Sequence, residues 1–440
     1  MILPSPWQKI LLEIFIFGNR PQRAWKMLLC CCFKVIWIWY AFPMTRLTFQ
    51  TLQSPPRFKK TENGWKRSGL PWADNGIGVS LALATLIDSD PSFIHGPLEI
   101  LITVDEETGL TGAFELDITK IPIESRLMLN LDSEELGTIT IGSAGGGDSK
   151  MEKELIKSSD YSAFQDFYQF QVSGLVGGHS GGDIHLPRAN ANKIIARMMS
   201  KILIAGGVPV ISQWNGGSKH NAITRKSEMI FGIKQSEEIK ALELLEKEKS
   251  AILSYFKHSD NTYEPKIEIS ITKVDPQPYF APGESAHIIH TSNLVPSQAI
   301  TASPIIPGLT ETSNNFAIVE TTSTGIHFLL SSRSSVQADL EWVRDQLAQL
   351  ALLNGWQFTR EKAYPGWNPE PENSFTLFVK QVYEKEMGAE VELGAVHGGL
   401  ETGVIGAAIP GMNMVAIGPN IKNPHSPDER VHIASVTKMY

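Results

Sequence analysis

Apolar residues along the chain fall into short runs that end at turns rich in glycine or acid. PLEILITV (97–104) reads as a buried strand closing on DEETG, RLMLNLDS (126–133) as another closing on DSEE, and MNMVAIGP (412–419) as a third ahead of a histidine-bearing loop. Open α/β sheets gather their ligands beyond such C-terminal strand ends. The pattern changes in the middle of the chain. DFYQFQVSGL and PKIEISITKV alternate as half-exposed strands and FAIVETTSTGIHFLLSS reads as one longer strand, which together predict an antiparallel sheet. Val336, Leu340, Val343, Leu347 and Leu350 recur at helical spacing and predict a helix closed by Gly355, while NGIGVSLALATLIDS predicts a second helix behind Asp74. The expected organisation is an α/β domain made of 61–164 and 367–440, an α+β domain inserted at 165–366, and a separate segment 1–60.

Composition sharpens the last of these divisions. The 440 residues carry a net charge of -8, which argues against nucleic acid or an anionic membrane as partner. Yet residues 1–70 hold 11 of the 39 Lys+Arg and only 2 of the 47 acids, so that segment is compositionally foreign to the rest. It also holds all three cysteines, as the run Cys30, Cys31, Cys32, whose contiguity fits neither a disulfide framework nor a usual zinc pattern. The apolar stretch 27–42 is interrupted by Lys34 and is too short to span a bilayer, so no membrane role is expected. A cysteine-free remainder points to the reducing cytoplasm.

The candidate chemistry sits on loops. An aspartate placed like Asp74 ordinarily caps its helix, and DEETG and DSEE taken singly are solvated turns. Together, Asp74, Asp105, Glu106, Glu107, Asp132, Glu134 and Glu135 crowd one sheet edge, where carboxylates repel unless a cation lies among them. A divalent metal is that cation, and His425 in NPHSPDE, on a loop stiffened by two prolines, is its candidate imidazole. His179 in SGLVGGHSGGDIH is flanked by glycines that permit close backbone approach. His397 and Glu401 in GAVHGGLETG are four residues apart and are each a metal ligand, a substrate contact or half of a buried pair. No phosphate-loop sequence occurs.

The stretches ADNGIG, ITVDEETGLTGAF, LNLDSEELGTITIGSAGG, GGHSGGDIH, NGGSKHNAI, AYPGW, HGGLETG and GPNIKNPHSPDE, in this order, resemble the aminoacyl-histidine dipeptidase family, also called Xaa-His or cytosol non-specific dipeptidases, among the co-catalytic zinc peptidases. The resemblance runs from residue 61 to the end. It implies a catalytic domain with a central mixed sheet flanked by helices, plus an inserted α+β lid that dimerises the protein. Asp74 would bridge two zinc ions, Glu107 and His425 would complete one site, and Asp132 would bind the other metal. Glu106 would be the general base. His179, Asn221 and Arg333 would contact a dipeptide, with His179 donating to the oxyanion and Arg333 pairing with the terminal carboxylate. Manganese or cobalt would be alternatives to zinc.

The chain departs from the family in one respect that bears on chemistry. The family carries a histidine, with an aspartate two residues later, on a strand ahead of the ADNG loop, and residues 1–73 here contain neither residue type. One metal site then keeps three protein ligands with an open position, and the other keeps two. The expectation is one well-formed site and reduced hydrolysis. The family's closing helix after PHSPDE is also expected to be missing, and the foreign composition of 1–60 suggests a disrupted reading frame. Alternatives are a zinc amidohydrolase for N-acyl amino acids and a non-catalytic peptide-binding descendant.

Overall fold

A computed structural model describes residues 31–37, 58–61, 64–67, 73–88, 90, 92–104, 106, 109–257, 263–424 and 429–440. The chain separates into two compact units, residues 1–143 with 367–395 and 400–440, and residues 144–366 with 396–399.

The first unit is built on a six-stranded sheet in the order Glu392–Val396, Thr138–Ser143, Asn413–Ala416, Leu127–Asn130, Cys31–Trp37, Leu98–Val104. Asn413–Ala416, Leu127–Asn130, Cys31–Trp37 and Leu98–Val104 run parallel to one another, and Thr138–Ser143 opposes Asn413–Ala416, so the sheet is mixed. The expected strands at 97–104, 126–133 and 412–419 are present in shortened form, their last residues turning into loops. Part of the apolar stretch 27–42 forms a strand of this sheet. Contrary to the expectation of no closing helix, a short helix, Ile433–Met439, follows the PHSPDE loop. Among the described residues no helix is long and apolar enough to cross a membrane.

The helix Ala73–Ile87 begins where expected, but its cap is not Asp74. Asp74 and Asn75 both have non-helical backbone angles, and it is the Asn75 side chain that accepts the Gly78 N–H, at 2.9 Å. That is the N-cap bond to the third residue along, supplied one position later than the sequence suggests.

The second unit holds a nine-stranded antiparallel sheet. Its path runs Glu268–Val274, Asp166–Ser173, Ser227–Ile233, Val210–Gly216, Thr310–Thr321, Gly325–Ser334, Gly145–Glu154, Gln357–Arg360, with Gln298–Ala302 also paired to Thr310–Thr321. Gly145–Glu154 pairs along its length with Gly325–Ser334, which groups it with this unit and not with the segment 61–164. The single long strand expected across FAIVETTSTGIHFLLSS is two strands of a hairpin. Residues 322–324 turn the chain, closed by the Thr322 N–H on the Gly325 carbonyl at 2.9 Å. The apolar runs on either side of TTSTG are paired with each other, which a one-dimensional pattern does not distinguish from one continuous strand.

Helices Ala191–Ile204, Glu238–Phe256, Pro282–Leu294 and Gln337–Leu353 supply the rest of this unit's core. Leu340, Val343 and Leu347 are buried as the helical spacing predicts, and Trp214, Phe316, Phe328 and Trp356 stack in tilted and edge-on pairs beneath them. Asn190 caps Ala191–Ile204 by accepting from Asn192 and Lys193. Lys193 in turn sends its ammonium to the carbonyls of Ser292, Asn293 and Val295 at 2.9, 2.7 and 2.6 Å, capping the C-terminal end of Pro282–Leu294.

Candidate functional site

In the first unit three loops are tied together by hydrogen bonds. The Asn75 amide donates to the Leu131 carbonyl at 2.7 Å, joining the start of Ala73–Ile87 to the residue before Asp132. The loop after Asp132 is held to the loop after Asn413–Ala416 by the Ile421 N–H on the Glu134 carbonyl at 2.9 Å, and by the Leu136 N–H on Asn420 Oδ1 at 2.8 Å. The Asp74 N–H donates to Glu429 Oε1 at 3.2 Å, and both residues are buried. Asp74, Asp132 and the approach to the PHSPDE loop are thereby drawn to one region. Glu106 is half-buried in a turn after Leu98–Val104, its carbonyl accepting the N–H groups of Gly109 and Leu110. Glu107 and His425 lie outside the described residues.

Among the described residues no three His, Cys, Asp or Glu side chains form a group that could hold a metal. The described candidates, Asp74 and Asp132, supply carboxylate oxygens, a donor chemistry that fits a divalent cation. Sequence reasoning did not single out Glu429, although it stands at the end of the quoted PHSPDE motif. Its role depends on a contact 355 residues away, which no local pattern displays.

Glu401 has a different setting from the one its spacing suggests. It is fully buried at the start of the helix Glu401–Ala408 and accepts from Thr103 Oγ1 at 2.7 Å, on the strand that leads to Glu106. His397 belongs to the second unit, so these two residues are divided between units.

The second unit brings His179, Asn221, Arg333 and His397 together from four separate stretches. The short strand Gly178–His179 pairs with Ala222–Ile223, and the Ser180 N–H donates to the Asn221 carbonyl at 2.9 Å. Arg333 is buried, and its Nε donates to Ser180 Oγ at 3.3 Å. Gly181 approaches the His397 carbonyl so closely that a methyl group on it would stand 2.3 Å from the oxygen, so any larger residue would part the two loops. His397 is buried with Ser313 Oγ 2.7 Å from its Nε2.

The electrostatics of this cluster are specific. The backbone N–H groups of Gly181 and Gly182 donate to His179 Nδ1 at 3.2 and 3.1 Å, which makes Nδ1 the acceptor and places the proton of a neutral ring on Nε2. His397 is pushed down to about 3 by burial, then by the charge of Arg333 and by the imidazoles of His185 and His179, so it stays neutral. Asp148 and His220 form an ion pair of 3.0 Å. Burial works to raise the Asp148 carboxyl, but hydrogen bonds from His220 and Ser331 and the charges of His220 and Arg333 outweigh it and leave it lowered. The hydrogen bond to Asp148 raises His220 against its burial. Both residues line, with Asn221, Lys150 and Glu361, an open depression of about 630 Å³.

These features define a class before they define a substrate. The chain matches peptidase family M20/M25/M40 over residues 51–440 and belongs to that family, a class of metal-dependent peptide-bond hydrolases. It is 34% identical over 376 residues to the cytosol non-specific dipeptidase of Escherichia coli K12, a match covering 83% of this chain and 73% of that protein. The crystal structure of an aminoacylhistidine dipeptidase from Vibrio alginolyticus superposes with a TM-score of 0.83 at 29% identity, covering 98% of this chain and 89% of that one.

Proposed function

We propose that the protein hydrolyses unblocked dipeptides, with Xaa-His among its substrates. The carboxylates Asp74, Glu107 and Asp132 with the imidazole of His425 would hold the metal, zinc or alternatively manganese or cobalt. When bound there, such an ion supplies Lewis acidity to the scissile carbonyl and to water. Glu106 accepts the proton of the attacking water on its carboxylate. In the second unit, His179 donates from Nε2 to the oxygen that becomes negative, and Arg333 pairs with the terminal carboxylate of the dipeptide. Asn221 and His397 complete the substrate contacts, and the buried Glu401 fixes the strand ahead of Glu106 through Thr103. The second unit, the expected insert 165–366 with its added first strand, serves as lid and as the surface of a homodimer, and the protein acts in the cytoplasm.

The observation that carries this reading is the gathering of His179, Asn221, Arg333 and His397 in a chain of this family. All four can recognise an anion or an oxyanion, and they come from distant parts of the sequence. The absence of His and Asp from residues 1–73 favours one firmly held metal and slowed hydrolysis over full activity. Metal stoichiometry measured alongside hydrolysis of several free dipeptides, one ending in histidine, tests both parts. Turnover of N-acetyl amino acids without turnover of dipeptides would assign the protein to acyl-amino-acid chemistry instead. Peptide binding that persists while wild type and Glu106→Ala are equally inert would make it a binding protein.

A further inference from the structure

We propose that Tyr364 is a positioning residue for Arg333, holding the guanidinium in the plane in which it meets the carboxylate end of a dipeptide. The proposal rests on the dipeptide reading above for its ligand, but its structural part stands on the sheet itself. Arg333 lies opposite Gly146 in the register of Gly325–Ser334 with Gly145–Glu154. On the other side of Gly146 is Tyr364, joined to it by two backbone hydrogen bonds, Tyr364 N–H to the Gly146 carbonyl at 2.8 Å and Gly146 N–H to the Tyr364 carbonyl at 3.1 Å. Arg333 and Tyr364 are therefore separated by one intervening strand position.

A side chain on that position would keep them apart. Gly146 has none, and the phenol folds across it. A methyl group at 146 would stand 2.5 Å from both Cζ and Oη of Tyr364, and one at 399 would stand 2.8 Å from Cε2. The ring is held between two glycines, and its Oη accepts from Arg333 Nη1 at 2.8 Å. With Nε on Ser180 Oγ at 3.3 Å, two of the three guanidinium nitrogens are fixed, which sets the orientation of the plane.

The choice of a phenol has a chemical reason. A carboxylate partner would neutralise the guanidinium and compete with a substrate anion. Tyr364 remains a protonated, uncharged acceptor: burial raises its pKa, and the opposing charge and hydrogen bond of Arg333 do not reverse that. It orients the cation without adding a second negative charge to the one that Asp148 already supplies nearby.

Tyr364→Phe removes the hydroxyl and keeps the ring, and Gly146→Ala displaces the ring and keeps the hydroxyl. Both are compared with wild type after melting curves confirm folding, and Tyr364→Phe carries the test if Gly146→Ala does not fold. In the first measurement, phenylglyoxal modification of Arg333 is followed by peptide mass mapping. It is expected to be about fivefold faster in both variants, and equal rates overturn the proposal. In the second, KM for free dipeptides is expected to rise about tenfold in Tyr364→Phe with kcat within about twofold, while KM for the same dipeptides as C-terminal amides does not move. Equal shifts for acid and amide, or a loss confined to kcat, overturn the proposal. A wild type that hydrolyses no dipeptide defeats the functional reading, and the modification rates still decide whether Tyr364 positions Arg333.

Discussion

Ser313 Oγ and His397 Nε2 lie 2.7 Å apart at two buried positions, and the imidazole is neutral. Its pKa is about 3 in the folded protein against an ordinary 6.5. Between these values the unfolded chain binds a proton that the folded one refuses, so stability rises with pH across that window and is lost as the solution is acidified through it. His397→Asn, which keeps a polar contact without a titrating ring, should flatten the fall in melting temperature between pH 6.5 and 3. An unchanged acid slope would remove His397 from the account of acid sensitivity.

His179 is held by two backbone donors to Nδ1, which directs its proton to Nε2. If that proton stabilises the oxyanion, His179→Ala should lower kcat about 100-fold with little change in KM. Steady-state kinetics on a free dipeptide check this. A variant whose KM rises while kcat holds would recast His179 as a binding contact only.

Glu264 is fully buried and accepts the Ala189 N–H at 2.9 Å and the Val176 N–H at 2.6 Å, bracing both ends of the loop that carries His179. Glu264→Ala leaves two donors without their acceptor and should cost about 2–3 kcal/mol in urea denaturation. Glu264→Gln, which retains one acceptor oxygen, should cost about half as much. A loss in kcat accompanying the alanine variant would show that the brace also serves the imidazole.

Metal analysis of the purified protein should find one tightly held divalent ion per chain, lost in Asp74→Asn and on treatment with a chelator, with hydrolysis lost in parallel. Two tightly held ions would contradict the ligand count drawn from residues 1–73.

Much of the fold was legible because its strands are short apolar runs punctuated by acid or glycine, and such runs report burial directly. Leu98–Val104 and the helix Gln337–Leu353 fall close to their expected positions for this reason. The hairpin at 322–324 was not legible, since pairing partners are a property of the sheet and not of the run. The cap at Asn75 was missed because two adjacent residues both have the right side chain, and only the backbone angles decide between them. Motifs located His179, Asn221 and His397, while Arg333, which lies in none of them, was implied by the family resemblance alone. AYPGW marked the stretch containing Tyr364 without assigning the tyrosine a role, and nothing marked Ser313, because the value of both lies in contacts across strands.

Lys193 shows how a shifted titration and chemical availability part company. Burial lowers its ammonium to about 8, so near neutral pH a larger share of this amine is unprotonated than for an ordinary lysine. By acidity alone it would react early with acylating reagents. Its nitrogen is committed to three carbonyls at the end of a neighbouring helix, and attack on an electrophile would require it to leave all of them. In a competitive acetylation experiment on the native protein it should be among the last lysines labelled, and its labelling should track unfolding.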